Sequence, residues 1–175
     1  MSNERLYLPR APYLHVLGAN ISEVTDFALA LPKYSRLRVI VRFLRGKKMA
    51  SLSSLYDEFG AALQFPYYFG ENWDAFSECI TDLEWIPADV YVLVITDSQS
   101  VLAEESDEQL AVLTKLLEEA GSEWSHPVET SQPWDRPVVA FHVIFQCDKS
   151  DEQAVISRLE SVGASFSRDT RNQLL

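Results

Sequence analysis

The residues best suited to chemistry stand between positions 67 and 82, in the run YYFGENWDAFSECITD. Asp74, Glu78 and Asp82 recur every four residues, a spacing that stacks three carboxylates in one column on a helix. Ser77 and Thr81 share that face, and Asn72 is the residue type that caps a helix beginning at Trp73. The opposite stripe, Trp73, Phe76, Ile80 and Leu83 with Cys79 beside it, is apolar and belongs against a core. Like charges four apart cost an isolated helix roughly 0.2–0.5 kcal/mol per pair, so this column costs under about 1 kcal/mol. That is small enough for a plain solvated face, and it also suits a face that waits for an external cation. Tyr67, Tyr68 and Phe69 lead into Gly70 just before the helix. A short loop cannot bury all three rings, and an exposed aromatic beside carboxylates suits the anchor-plus-charge pattern of a protein interface.

Other chemistries find less support. A glycosidase-like pair needs acids on opposite sides of a cleft, not one turn apart on one helix. A hydrolase using Asp74 or Glu78 as an acid–base group would need a pocket around them. The six glycines are scattered singly, so there is no phosphate loop. His15, His126 and His142 have no ligand spacing to one another or to the two cysteines, Cys79 and Cys147, so neither a metal nor another cofactor is expected. The chain reads as a binding protein rather than an enzyme.

Charge sharpens this reading. The net charge is −11, but residues 1–48 hold nine Lys/Arg against three Asp/Glu. Residues 49–114 hold thirteen acids and no Lys, Arg or His. Such a stretch repels nucleic acid and steers a basic partner toward itself. No apolar run approaches the roughly 18–20 residues of a membrane span, and the N-terminus lacks the form of a secretory signal. The expectation is a reduced, cytoplasmic protein with no membrane contact.

The elements that must position these residues are legible from local signals. RLRVIVRFL, 36–44, alternates basic and apolar residues and predicts a strand ended by Gly46. Residues 51–64 predict a helix capped by Ser51 and closed by Pro66. The acidic helix spans 73–83. VYVLVIT, 90–96, is a buried strand, followed by a helix over 106–120 that Gly121 stops. A loop covers 122–137 and a third strand 138–147. The core is therefore α/β, a three-stranded, mainly parallel sheet packed by helices, with N- and C-terminal extensions. The N-terminal extension, 1–35, could add a strand and a helix over 13–31. Residues 149–175 hold a helix over 150–162 with a Ser150–Gln153 capping box, and the final dozen residues give no signal.

FPYYFGENWDAFSECITD, 65–82, resembles the signature segment of the barstar family of ribonuclease inhibitors. Proline, paired aromatics and glycine lead there through Glu-Asn into a helix with Asp-Ala and a later cysteine. The resemblance covers roughly 36–148, with a long loop inserted before the last strand. It implies a barstar-like fold and tight one-to-one inhibition of a small basic ribonuclease, as an inhibitor or immunity protein. It implies that Asp74 matches the first interface aspartate, that Glu78 falls at the main anchoring aspartate, and that Tyr68 matches the interface tyrosine. Asn72 and Thr81 match flanking polar contacts; Trp73, Ser77 and Asp82 complete the expected surface. The chain departs from the pattern in three places. Glu78 is one methylene longer, Ser77 replaces a large aromatic, and Trp73 replaces an aliphatic residue. An acidic contact late in the third helix falls to Glu118 or Glu119. The alternative keeps the fold and changes the partner to a different basic nuclease, toxin or other basic protein.

Overall fold

The computed structural model describes residues 3–34, 36–132 and 135–168. Its centre is VYVLVIT, strand β3 (Val90–Thr96), buried along its whole length. Side chains alternate across a sheet, and this strand feeds two cores. Val90, Val92 and Val94 join one apolar cluster, while Tyr91, Leu93 and Ile95 join the other. A strand buried on both faces reads as a continuous apolar run, which is why its bounds were legible.

The sheet is five-stranded in the order β2-β3-β4-β1-β5, where the sequence predicts three strands. Every pairing in it is parallel. Strand β2 (Val39–Arg45) pairs with β3 in the register Val39 to Val90, and β4 (Ala140–Cys147) lies on the other side of β3. The two further strands come from the flanking segments. Strand β1 (Leu14–Gly18) pairs with β4 from Leu14–Val143 onward, and β5 (Phe166–Arg168) closes that edge beside β1. Strand β5 is three residues long, too short to carry a pattern, and falls where no signal was read. Residues 133 and 134 of the expected loop, Ser35 at the end of the expected extension, and the tail from 169 onward lie outside the described residues.

Helix α1 (Ile21–Ala30) covers one face of the sheet with Val24, Phe27 and Ala28. The other face carries α2 (Leu52–Leu63), α3 (Trp73–Asp82), α4 (Asp107–Trp124) and α5 (Glu152–Ser161). Ser51 caps α2 by accepting from the Ser54 N–H, as its position predicts. Two helix boundaries differ from expectation. Gly121 does not stop α4, which runs to Trp124; it is buried inside the helix because a Cβ there would meet the Tyr13 ring at 2.3 Å. The Ser150–Gln153 box does not form, since α5 starts at Glu152 after Asp151, and Gln153 Nε2 donates to Ser157 Oγ at 3.3 Å.

A buried polar chain ties the added strands to the rest. His142 Nε2 lies 3.0 Å from the Leu8 carbonyl, so that nitrogen donates. In neutral rings His142 Nδ1 must then accept from His15 Nε2 at 3.0 Å, which leaves His15 Nδ1 to accept from the Ser167 hydroxyl at 2.7 Å. Both rings are fully buried, and the chain links β5, β1, β4 and the N-terminal turn. Among the described residues no helix is long and apolar enough to cross a membrane.

Candidate functional site

Helix α3 is fastened at both ends, which leaves one face free. Asn72 Oδ1 accepts from the Ala75 N–H at 2.9 Å, the cap its residue type predicts. Its Nδ2 donates back to the Gly70 carbonyl at 3.1 Å, holding the entry to the helix. Phe76 is fully buried, edge-on to Phe59 with ring centres 4.9 Å apart. Trp73 is half-buried, with Tyr56 edge-on at 5.3 Å, and its indole N–H donates to Gln109 Oε1 at 2.9 Å. At the far end the Trp124 indole donates to the Ile80 carbonyl at 3.0 Å. Thus α4 holds α3 near its first and last turns. Leu83 ends α3 in the left-handed conformation, φ 45°, with its side chain buried.

The aromatic loop divides its rings. Phe69 turns inward against Phe65 at 5.0 Å and Tyr56 at 5.8 Å. A tight turn, Phe69 N–H to Pro66 O at 2.9 Å, then throws the two preceding residues outward. Tyr67 is fully exposed and Tyr68 is 68% exposed, their rings edge-on at 5.7 Å. Two large aromatic rings thus stand in water beside the acidic helix.

Asp74, Glu78 and Asp82 are all exposed, and Ser77 and Thr81 are partly so. Thr81 spends its hydroxyl proton on the Ser77 carbonyl at 2.9 Å. Three carboxylates elsewhere in the acidic stretch are paired with cations: Glu58 with Arg45, Asp97 with Lys47 and Asp107 with Arg158. Among the described residues no ion pair within 4.0 Å engages Asp74, Glu78 or Asp82. Cys79, on the inner side of the same helix, has its thiol pushed up by burial and then by the Asp82 and Glu78 charges. Burial likewise takes Cys147 up to about 12, so both cysteines are protonated core residues and not nucleophiles.

Two depressions flank the face, and neither is lined by Asp74 or Glu78. One, of about 420 Å³, lies at the start of α3 between Tyr56, Glu71, Trp73 and Gln109. The other, of about 820 Å³, lies beyond its end. Among the described residues no group of three His, Cys, Asp or Glu could hold a metal ion.

The two acids expected late in the third helix, Glu118 and Glu119, lie on α4 beside the N-terminal segment. Glu118 accepts from the Ser165 N–H at 2.9 Å, and burial raises its carboxyl. Glu119 pairs with Lys115, and both glutamates line a depression with Pro12 and Tyr13. The acid of α4 that shares a cleft with Thr81 and Asp82 is Glu123. Sequence reasoning passed over Glu123 and Gln109. Helical spacing from Trp124 could have pointed to the first; the second is visible only through its contact with Trp73.

The family model "Barstar (barnase inhibitor)" matches residues 39–146. A Bacillus subtilis (strain 168) protein described as "Putative ribonuclease inhibitor YrdF" is 27% identical over 84 residues, spanning 48% of this chain and 92% of its own length. Among solved structures, Drosophila ORC bound to AT-rich DNA and Cdc6 contains a chain 15% identical with a TM-score of 0.45. The corresponding complex on GC-rich DNA gives 14% and 0.47. Each alignment covers 89% of this chain and 47% of the other, so the chain spans about half the length of those matches.

Proposed function

The chain belongs to the barstar family, and from that premise we propose that it binds a small basic ribonuclease one-to-one and blocks its active site with α3 and the loop before it. The family's part of the chain is taken as residues 36–148. The observation that carries this reading is the exposed carboxylate column on α3 beside two exposed tyrosines. Glu58, Asp97 and Asp107 have cations, while among the described residues Asp74, Glu78 and Asp82 have none within 4.0 Å and stand beside two exposed tyrosines. A ribonuclease active site gathers Arg, Lys and His around a phosphate. Carboxylates inserted there form charge-assisted hydrogen bonds in place of the phosphate oxygens.

Tyr68 is the aromatic anchor, Asp74 and Glu78 are the charged ones, and Asn72, Ser77, Thr81 and Asp82 surround them. Trp73 shapes the surface from below, since its indole is tied to Gln109. The role is non-catalytic and needs no cofactor; it suits an immunity protein that meets its nuclease in the cytoplasm. One observation favours a nuclease other than barnase within this reading. Glu78 reaches further than an aspartate, and Ser77 is small where the family's best-known member has a large aromatic, so the partner must fill that space itself.

Calorimetric titration with an inert barnase-type ribonuclease tests the proposal. Expected are one-to-one binding and a loss of about 2 kcal/mol or more for Glu78→Ala, the range of interface hot spots generally, the barnase–barstar pair among them. Binding with a footprint that avoids Tyr68, Asp74 and Glu78 would replace this reading with a different use of the same fold.

A further inference from the structure

The chain leaving β3 enters a single turn of 3-10 helix, Ser98–Ser100, which packs against β4 and α5. Between this turn, α4, α5 and β4 lies a cavity of about 110 Å³. Leu110 from α4, Phe145 from β4, and Val155 and Leu159 from α5 give it buried apolar walls. Ser98, Gln99 and Arg158 supply its polar part. The exposed Ala154 also lines it, so the cavity reaches the surface there.

Part of that polar lining is unspent. Ser98 is 5% exposed, and its hydroxyl oxygen has no hydrogen-bond partner; the buried side-chain oxygen of Gln99 has none either. Among the described residues these are the two buried side-chain polar atoms left without a partner, and both residues line this one cavity. Buried polar groups are otherwise paired, because an orphan gives up its contacts with water and gains nothing in return. Arg158, by contrast, is engaged. Its Nη1 donates to the Val101 carbonyl at 2.7 Å, Nη2 to the Leu102 carbonyl at 3.1 Å and Nε to Asp107 Oδ1 at 3.4 Å. It fastens the segment after the turn to α5 and forms a fixed wall.

Water alone suits this lining poorly. The volume corresponds to roughly three or four water molecules, each of which needs about two to four polar partners. The walls offer two unspent oxygens among four apolar side chains. A single ring with one hydroxyl matches better. An apolar cavity of about 150 Å³ takes up benzene, so this smaller one, reaching the surface, takes one ring and nothing larger. A hydroxyl can accept from the Ser98 O–H and donate to Gln99 Oε1, satisfying both orphans with one group. The location agrees, since open parallel α/β sheets receive ligands at the carboxyl ends of their strands. Ser98 and Gln99 lie just beyond the end of β3, and Phe145 lies near the end of β4.

We propose that this cavity binds a small phenol, its ring against Leu110, Phe145, Val155 and Leu159 and its hydroxyl between Ser98 and Gln99. The site shares no residue with the acidic face of α3 and does not depend on the inhibitor reading.

The test is an amide NMR titration of the full chain with phenol and with toluene, which carries a methyl group where phenol has its hydroxyl. Wild type and Ser98→Ala are compared. Expected are saturable binding of phenol, shifts centred on Ser98, Gln99, Leu110 and Phe145, and toluene binding at least about tenfold more weakly. Ser98→Ala should bind phenol at least about fivefold more weakly and toluene no more weakly than wild type does. Should that variant fail to fold, the difference between phenol and toluene in wild type decides. Equal affinity for the two ligands overturns the hydroxyl site. So does a cavity that holds ordered water only and takes up neither ligand, or a set of shifts centred elsewhere.

Discussion

Arg45 reaches Glu58 through three donors: its backbone N–H at 2.9 Å, Nε at 2.8 Å and Nη2 at 2.6 Å. Those hydrogen bonds, the side-chain ones foremost, hold the Glu58 carboxyl below its ordinary value despite its burial. A depressed carboxyl contributes stability that is fully present above the unfolded-state value, about 4.3 for glutamate, and is lost as pH falls through the folded value. Urea unfolding at a series of pH values should therefore show wild type losing stability from about pH 4.3 downward. Glu58→Gln should be less stable at pH 7 and show a shallower acid limb. Equal slopes for the two proteins would mean that the Arg45 contact adds nothing. Glu78 is the opposite case. It is exposed and has no ion pair among the described residues, so Glu78→Ala should leave folding within about 0.5 kcal/mol while weakening nuclease binding. A site residue of this kind is recognised by that separation of stability from binding.

Helix α4 acts as the frame for α3, gripping its start through Gln109 and its end through Trp124. Its own placement depends on Gly121, which lets the Tyr13 ring approach the helix backbone; the Tyr13 hydroxyl then donates to Ser125 Oγ at 3.2 Å. Tyr13 immediately precedes β1, so this contact couples the N-terminal strand to the helix behind the site. Gly121→Ala places a methyl group 2.3 Å from the Tyr13 ring and should cost about 1–3 kcal/mol in a chemical unfolding titration. Because the clash is with one side chain, Tyr13→Ala should cost less in the Gly121→Ala background than in wild type. Strictly additive effects would show that the glycine matters for a reason other than this ring.

At the scale of the whole molecule, charge is divided. The chain's first 48 residues are basic, and 49–114 hold only acids among their charged residues. Folding cancels part of this division: Arg45 and Lys47, at and just beyond the end of β2, reach Glu58 and Asp97. Three of the acids left over, Asp74, Glu78 and Asp82, form one exposed column on α3 and place negative charge along that face. A basic partner should associate rapidly at low salt and at least about tenfold more slowly at high salt, with dissociation changing little. Stopped-flow association from 50 to 500 mM salt reads this directly, and a flat association rate would remove steering from the mechanism.

Local signals were legible because their causes are local. Ser51 and Asn72 cap their helices through backbone N–H groups three residues on, and β3 shows its burial on two faces as an unbroken apolar run. The carboxylate column on α3 follows from helical spacing alone, and the segment around it was enough to indicate the family. Strand β2 showed alternation because it is an edge strand, only partly buried along most of its length. The remaining features depend on partners distant in the chain. Gly121 looked like a helix stop because Tyr13, which explains it, lies 108 residues earlier in the chain. Strand β5 exists as a strand only beside β1, and His15 and His142 meet only because β1 lies next to β4. The sequence by itself determined the helices, the central strand and the acidic face, whose periodicities are set by neighbouring residues. Only the tertiary structure decided the five-stranded sheet, the cation partners of Glu58, Asp97 and Asp107 and the cleft beyond α3, because these arise where segments apart in the chain are packed together.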